Sequence, residues 1–236
     1  MTYTGPENQP EMGTVIGSAF ADALGLMKKN LIPVGLFVGT AALGGLLFAL
    51  KAANYNATQA GIAIFFALFY VVTYYSIAEA VRTVNPSYRM TVGAFFGFFG
   101  YQLLVGLFTF LAFLFLIIPG FWVGVKLAFA PYIYAITDGR SDALGDSWSI
   151  TTGYYWYSLG FSILLGLALF VVIFVAELAA YVPQNNFAML AIIAYPLGAA
   201  LGAWSLYVQS LAYVRWTKVL MDLSGQFRGD EPTLAG

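Results

Sequence analysis

From Leu31 to Leu50 the chain runs through twenty residues without one charged side chain, and Phe108 to Ile118 is a second run in which only Thr109 is polar. A helix buried in a soluble core keeps a polar face. One that is apolar all round needs an apolar solvent, and about 20 such residues cover the roughly 30 Å of bilayer hydrocarbon. Composition points the same way: 61% of residues are hydrophobic, 9% are charged and mean hydropathy is +0.80, whereas an ordinary soluble domain is about a quarter charged. The reading is an all-α, polytopic membrane protein.

Hydropathy predicts six spanning helices, at 31–50, 61–81, 97–118, 121–137, 154–180 and 187–214. Residues 13–222 then form one transmembrane domain, between a polar tail at 1–12 and a flexible tail at 223–236. The N-terminal MTYTGPENQPEMG has no basic segment leading into a short apolar one, so no cleavable signal is expected and the first span does the targeting. Only Pro119-Gly120 separates the third span from the fourth. Proline cannot continue a helix and glycine permits reversal, so a tight hairpin is expected there.

Lys28, Lys29, Arg82, Arg89, Arg140, Arg215, Lys218 and Arg228 fall on one side of this arrangement, while the opposite loops carry only Lys51. Basic loops stay in the cytoplasm, which puts both termini there. Tyr154-Tyr155-Trp156-Tyr157 and Trp216 fit an aromatic belt at that interface.

The tetrapeptide DALG occurs twice, at Asp22–Gly25 and Asp142–Gly145, each time ahead of an odd-numbered span. Around the first copy Ile16, Phe20, Leu24 and Met27 recur at helical spacing, with Ser18 and Asp22 off the stripe. Around the second, Leu144, Trp148 and Thr151 share a face, Ser141 is a candidate N-cap, and Asp142 and Asp146 face water. Met90–Gly100 reads as a third, more apolar version, and Val105-Gly106-Leu107-Phe108 repeats Val34-Gly35-Leu36-Phe37. The expected plan is three hairpins, each preceded by a cytoplasmic interfacial amphipathic helix. Whether the three units are an ancestral repeat stays open, because compositional bias alone produces such matches.

Chemistry-bearing residues are few. The chain has no Cys and no His, which removes disulfides, thiolates, imidazole bases and the usual zinc or haem ligands. The eleven acids are scattered, no cofactor is expected, and a net charge of −1 argues against nucleic acid. Lys126 stands in an otherwise apolar helix, where a charge is costly and faces protein, water or, by snorkelling, the interface. Glu177 lies at comparable depth on the fifth span, and the two are expected to pair. Glu79 and Arg82, three apart, are expected to form a helical ion pair, and Asp138 and Arg140 to lie among the headgroups. Tyr74, Tyr75, Tyr101 and Gln102 could supply polar contacts within the bundle.

Four G-x-x-x-G pairs, Gly35/Gly39, Gly93/Gly97, Gly120/Gly124 and Gly198/Gly202, are candidates for close helix approach, and Pro131 and Pro196 for kinks. No phosphate-binding loop, nucleophile elbow or zinc-protease motif is present. These observations favour a non-enzymatic scaffold or accessory subunit in contact with membrane lipids and with membrane-protein partners or further copies of itself. The alternative is a small transporter or lipid-handling protein with a cavity near Lys126.

The stretch IIPGFWVGVKLAFAPYIYAITDGRSDALGDSWSITTGYYW, Ile117 to Trp156, resembles the YciC-like prokaryotic membrane proteins and the membrane domain attached to some glycerophosphoryl diester phosphodiesterases. The similar features are Pro119-Gly120 at a helix end, a basic residue at Lys126, a Phe/Ala/Pro run, and a polar helix with Ser147-Trp148 and Gly153 before the next span. The group more often has arginine where this chain has Lys126. The resemblance implies a prokaryotic plasma membrane and no catalytic residues in this domain.

Overall fold

The computed structural model describes residues 11–49, 55–89, 91–139, 142–185 and 191–225, and these are helical with short joints and no strand. The elements are α1 (Met12–Lys29), α2 (Leu31–Ala49), α3 (Tyr55–Arg82), α4 (Val92–Phe115), α5 (Ile117–Leu127), α6 (Ala130–Ile136), α7 (Ala143–Gly153), α8 (Tyr155–Asn185) and α9 (Ala191–Ser224). Among the described residues five stretches are long and apolar enough to cross a membrane, α5 and α6 together counting as one, or six if α1 and α2, bent by 92°, make one span. The chain is thus an all-helical, multi-pass membrane protein. It divides into two compact units, one of Met1–Ile16, Val81–Ile163 and Ala212–Gly236, the other of Gly17–Ala80 and Leu164–Leu211.

In the second unit the 92° elbow falls at Asn30, a single residue between α1 and α2. Its amide donates to Met27 O over 3.0 Å and its side chain to Leu26 O over 3.4 Å, closing off the last carbonyls of α1. Phe37 of α2 stacks on Phe65 of α3 at 4.5 Å, and Phe20 of α1 meets Trp204 of α9 edge-on at 5.3 Å. Ser76 on α3 and Ser210 on α9 share a buried hydrogen bond of 2.9 Å. Hydrocarbon offers such hydroxyls no alternative partner, yet measured interhelical bonds average only about 0.6 kcal/mol. A Ser76→Ala/Ser210→Ala double-mutant cycle is expected to return about that coupling, and strictly additive losses would mean the two hydroxyls act independently.

The first unit is built around an aromatic ladder. Phe98 of α4 meets Tyr132 of α6, Tyr132 stacks on Tyr213 of α9 at 4.9 Å, Tyr213 meets Phe161 of α8, and Phe161 stacks on Trp216 at 4.9 Å. These rings come from four helices, and Trp216, expected in an aromatic belt, is buried among them.

The surface helices bury a different face from the one that hydrophobicity suggests. In α1 the buried residues are Val15, Ala19, Ala23 and Leu26, one position behind Ile16, Phe20, Leu24 and Met27, and Leu24 is exposed. In α7 they are Ala143, Ser147, Ile150 and Thr151, while Trp148 is exposed. The reason is the solvent: where lipid is as apolar as the core, hydrophobicity does not choose the buried face, and small residues such as Ala19, Ala23, Ala143 and Ser147 turn inward where backbones approach, with Leu26 and Ile150 beside them. Both DALG copies therefore bury their alanine fully and expose their aspartate and glycine.

Other expectations shift as well. Residues 92–100 are the first turns of α4, continuous with the rest of it, and the helix is capped by Thr91, whose hydroxyl accepts from Ala94 N at 3.1 Å. The turn between α4 and α5 falls at Leu116, in extended conformation, and not at Pro119-Gly120. Pro119 sits in the first turn of α5, where amide hydrogens have no helical acceptor, so its missing N–H costs nothing. Gly120 packs directly under the Phe113 ring, and a Cβ on Gly124 would lie 3.2 Å from Thr109 Cγ2, so this G-x-x-x-G pair is the seam of the α4–α5 hairpin. Gly97 accommodates Tyr134, whereas Gly35, Gly39 and Gly202 face open space. The break expected from Pro131 falls at Ala128–Phe129, just ahead of it, and α9 runs on through Pro196. Asp138 and Gly139, both left-handed (φ 55° and 73°), end α6. Ser141 and Arg140 lie outside the described residues; α7 starts after Asp142, which makes no side-chain cap.

Candidate functional site

Lys126 is 3% exposed, and the groups that cover it come from two helices of the first unit, α5 and α7. Residues four apart share a helix face, so Trp122 and Lys126 line one side of α5, and Trp148 and Thr152 line the opposing side of α7. Lys126 Nζ donates to Thr152 Oγ1 over 2.6 Å, and that hydroxyl donates on to Trp148 O over 2.7 Å. The ammonium also lies 5.6 Å from the ring centroids of both Trp122 and Trp148, within the range of a cation–π contact. The two indoles meet edge to face at 4.8 Å and 90°. Both indoles are exposed on their outer sides, so an apolar rim screens the charge while Lys126 keeps N–H groups beyond the one given to Thr152.

The backbone of the same lysine is held from the same helix. The helix break at Ala128–Phe129 and the missing N–H of Pro131 interrupt the ladder just beyond Lys126. Ser147 Oγ donates to Lys126 O over 2.7 Å, and Thr151 Oγ1, bonded to Ser147 O at 2.6 Å, leans toward it at 3.3 Å. Ser147 and Thr151 are thus a second pair four apart, one step round α7 from Trp148 and Thr152. The sequence signal was present as SWSITT, two interleaved pairs of hydrogen-bonding and aromatic residues, but it names no partner by itself.

Of the other candidates, Glu177 falls where side chains lie outside the described residues, so its expected pairing with Lys126 does too. Glu79 is buried, with Lys29 Nζ 4.0 Å from its Oε2. Arg82 is exposed and donates from Nε to Tyr88 O over 3.3 Å. Pro119 and Gly120 shape the hairpin that carries Trp122 and Lys126. Among the described residues no three acids gather in a way that could hold a metal ion. What the site does chemically is hold a cation at a fixed place between two indoles and a hydroxyl. Comparison with protein-family models, curated proteins and solved structures finds no match to this chain.

Proposed function

We propose that the chain is a non-enzymatic integral membrane protein that serves as a scaffold or accessory subunit of a larger membrane assembly. The observation that carries this reading is the outer face of α4: Leu103, Leu107, Phe110 and Leu114, spaced four, three and four apart, are all exposed. That spacing is the seam by which one helix receives another. The distribution of Lys and Arg supports cytoplasmic termini, and the resemblance over Ile117–Trp156 supports a plasma membrane. The Ile117–Trp156 motif supports membership of the YciC-like and glycerophosphoryl diester phosphodiesterase membrane-domain group. Native mass spectrometry of the gently solubilised protein tests the proposal. The expected spectrum contains an oligomer or a co-purifying protein, and Leu107→Ala/Phe110→Ala shifts it toward monomer; a wild-type monomer carrying only lipid overturns it.

A lipid-handling role is the second reading, and Lys126 favours it, because an ammonium beside two indoles suits an anionic headgroup. Under that reading the same spectrum shows an anionic lipid retained by the wild type and lost from Lys126→Met.

A further inference from the structure

Three turns of this chain are expected on the side opposite its basic loops, and two of them are polar. Lys51, Asn54, Asn56 and Gln59 follow the first span, and Gln184, Asn185 and Asn186 follow the fifth. The α4–α5 turn has nothing of the kind. From Met90 to Val125 no residue is charged, and at the turn itself Phe115, Leu116, Ile117 and Ile118 are 67–83% exposed. A turn that met water on the far side would place its four most exposed side chains, all apolar, in the wrong solvent.

The flanking charges do not distinguish a hairpin that crosses from one that enters and returns, since Arg89 and Arg140 lie on the same side in either case. Depth does. Ser147 and Thr152 fasten α7 to Lys126, so the two share a level in the membrane. The same helix carries Asp146, next to Ser147, and is preceded by the exposed Asp142. If the hairpin crossed, Lys126, nine residues past the turn, would lie about 14 Å from the far surface. That is near the middle of a core about 30 Å thick, and α7 would be drawn there with its aspartates. If Lys126 lies at the near interface, the aspartates meet headgroups and water, and Trp122, Trp148 and Lys126 occupy the level where such side chains concentrate. The turn then ends at most about 14 Å below that interface, no deeper than mid-bilayer.

We propose that α4–α5 is a re-entrant hairpin: it enters the bilayer from the α7 side and ends within the hydrocarbon, its exposed Phe115–Ile118 tip covered by lipid acyl chains. α4, 24 residues long, lies oblique, with its first turns along the interface and the exposed Gln102 near it. This topology does not rest on the scaffold reading, and either can fail without the other.

The absence of native cysteine makes the test direct. Single cysteines at Leu103, Leu107, Leu111, Leu114 and Ile118, all exposed positions, carry a nitroxide in phosphatidylethanolamine/phosphatidylglycerol vesicles, and relative accessibility to oxygen and to a water-soluble nickel complex reports depth. A re-entrant hairpin gives its deepest point at Leu114 or Ile118. A deepest point at Leu103, Leu107 or Leu111, with nickel accessibility rising again toward Ile118, means that the hairpin crosses, and overturns the proposal. Because none of the five side chains is buried, the labelled variants are expected to keep the wild-type helical circular dichroism.

Discussion

Gly45→Ala will destabilise the second unit by about 1–3 kcal/mol, the usual cost of overpacking, while Gly44→Ala will be neutral or stabilising. The two glycines are neighbours in α2 but face different surroundings. A Cβ on Gly45 would run into the carbonyl of Ala191, the first residue of α9, with the carbonyl carbon at 2.9 Å and Ile192 N at 3.3 Å. These are backbone atoms, so no side-chain rotation relieves the clash and the helices must part. A Cβ on Gly44 meets nothing within 4 Å. There, alanine brings only its better helix propensity, worth up to about 1 kcal/mol. Helicity followed against the mole fraction of SDS measures both, and equal losses at the two positions would show that α2 and α9 do not approach through Gly45.

Lys126→Ala is expected to cost about 2 kcal/mol or more and to loosen α7 from α5. A hydrogen bond to a charged group contributes about 1.5–3 kcal/mol, and each cation–π contact about 0.5–1 kcal/mol where it is partly exposed. Near-universal loss of stability after truncating a buried lysine would say little, so the more telling signal is optical. Trp122 and Trp148, edge to face at 4.8 Å, should lose their fixed geometry and with it much of the near-ultraviolet circular dichroism they contribute. Lys126→Arg keeps the charge and a planar group that stacks on indoles, and should retain most of that signal. An unchanged near-ultraviolet spectrum in Lys126→Ala would mean that the lysine does not organise the pair.

The spans were legible because long apolar runs have one physical solution, and their centres agree with the helices from α2 to α9. Which face each surface helix buries was not legible. Hydrophobicity separates apolar from polar, but beside a membrane the core and the lipid are both apolar. Close approach of backbones also counts, and Ala23 and Ala143 go fully inward while Leu24 turns out, although Leu26 and Ile150 are buried on the same faces. The turn falls at Leu116 and not at Pro119-Gly120 for a related reason, since proline is harmless in a first helical turn and glycine serves close packing as readily as reversal. Lys126 announced itself as an isolated charge. Its partners did not, because Trp148 and Thr152 lie on another helix and only the folded chain brings them to it. The two DALG copies illustrate both sides: they bury the same residue, yet one lies eight residues before its joint at Asn30 and the other twelve before Tyr154, a difference of about one helical turn.

At 34 residues and about 1.5 Å each, α9 is roughly 50 Å long, some 20 Å more than the hydrocarbon it crosses. Its last turns are spent on packing: Trp216, Thr217, Leu220 and Met221 are buried, and Tyr154 donates to Leu223 O, so the length left over from one span ties the start of α8 to the end of the last helix.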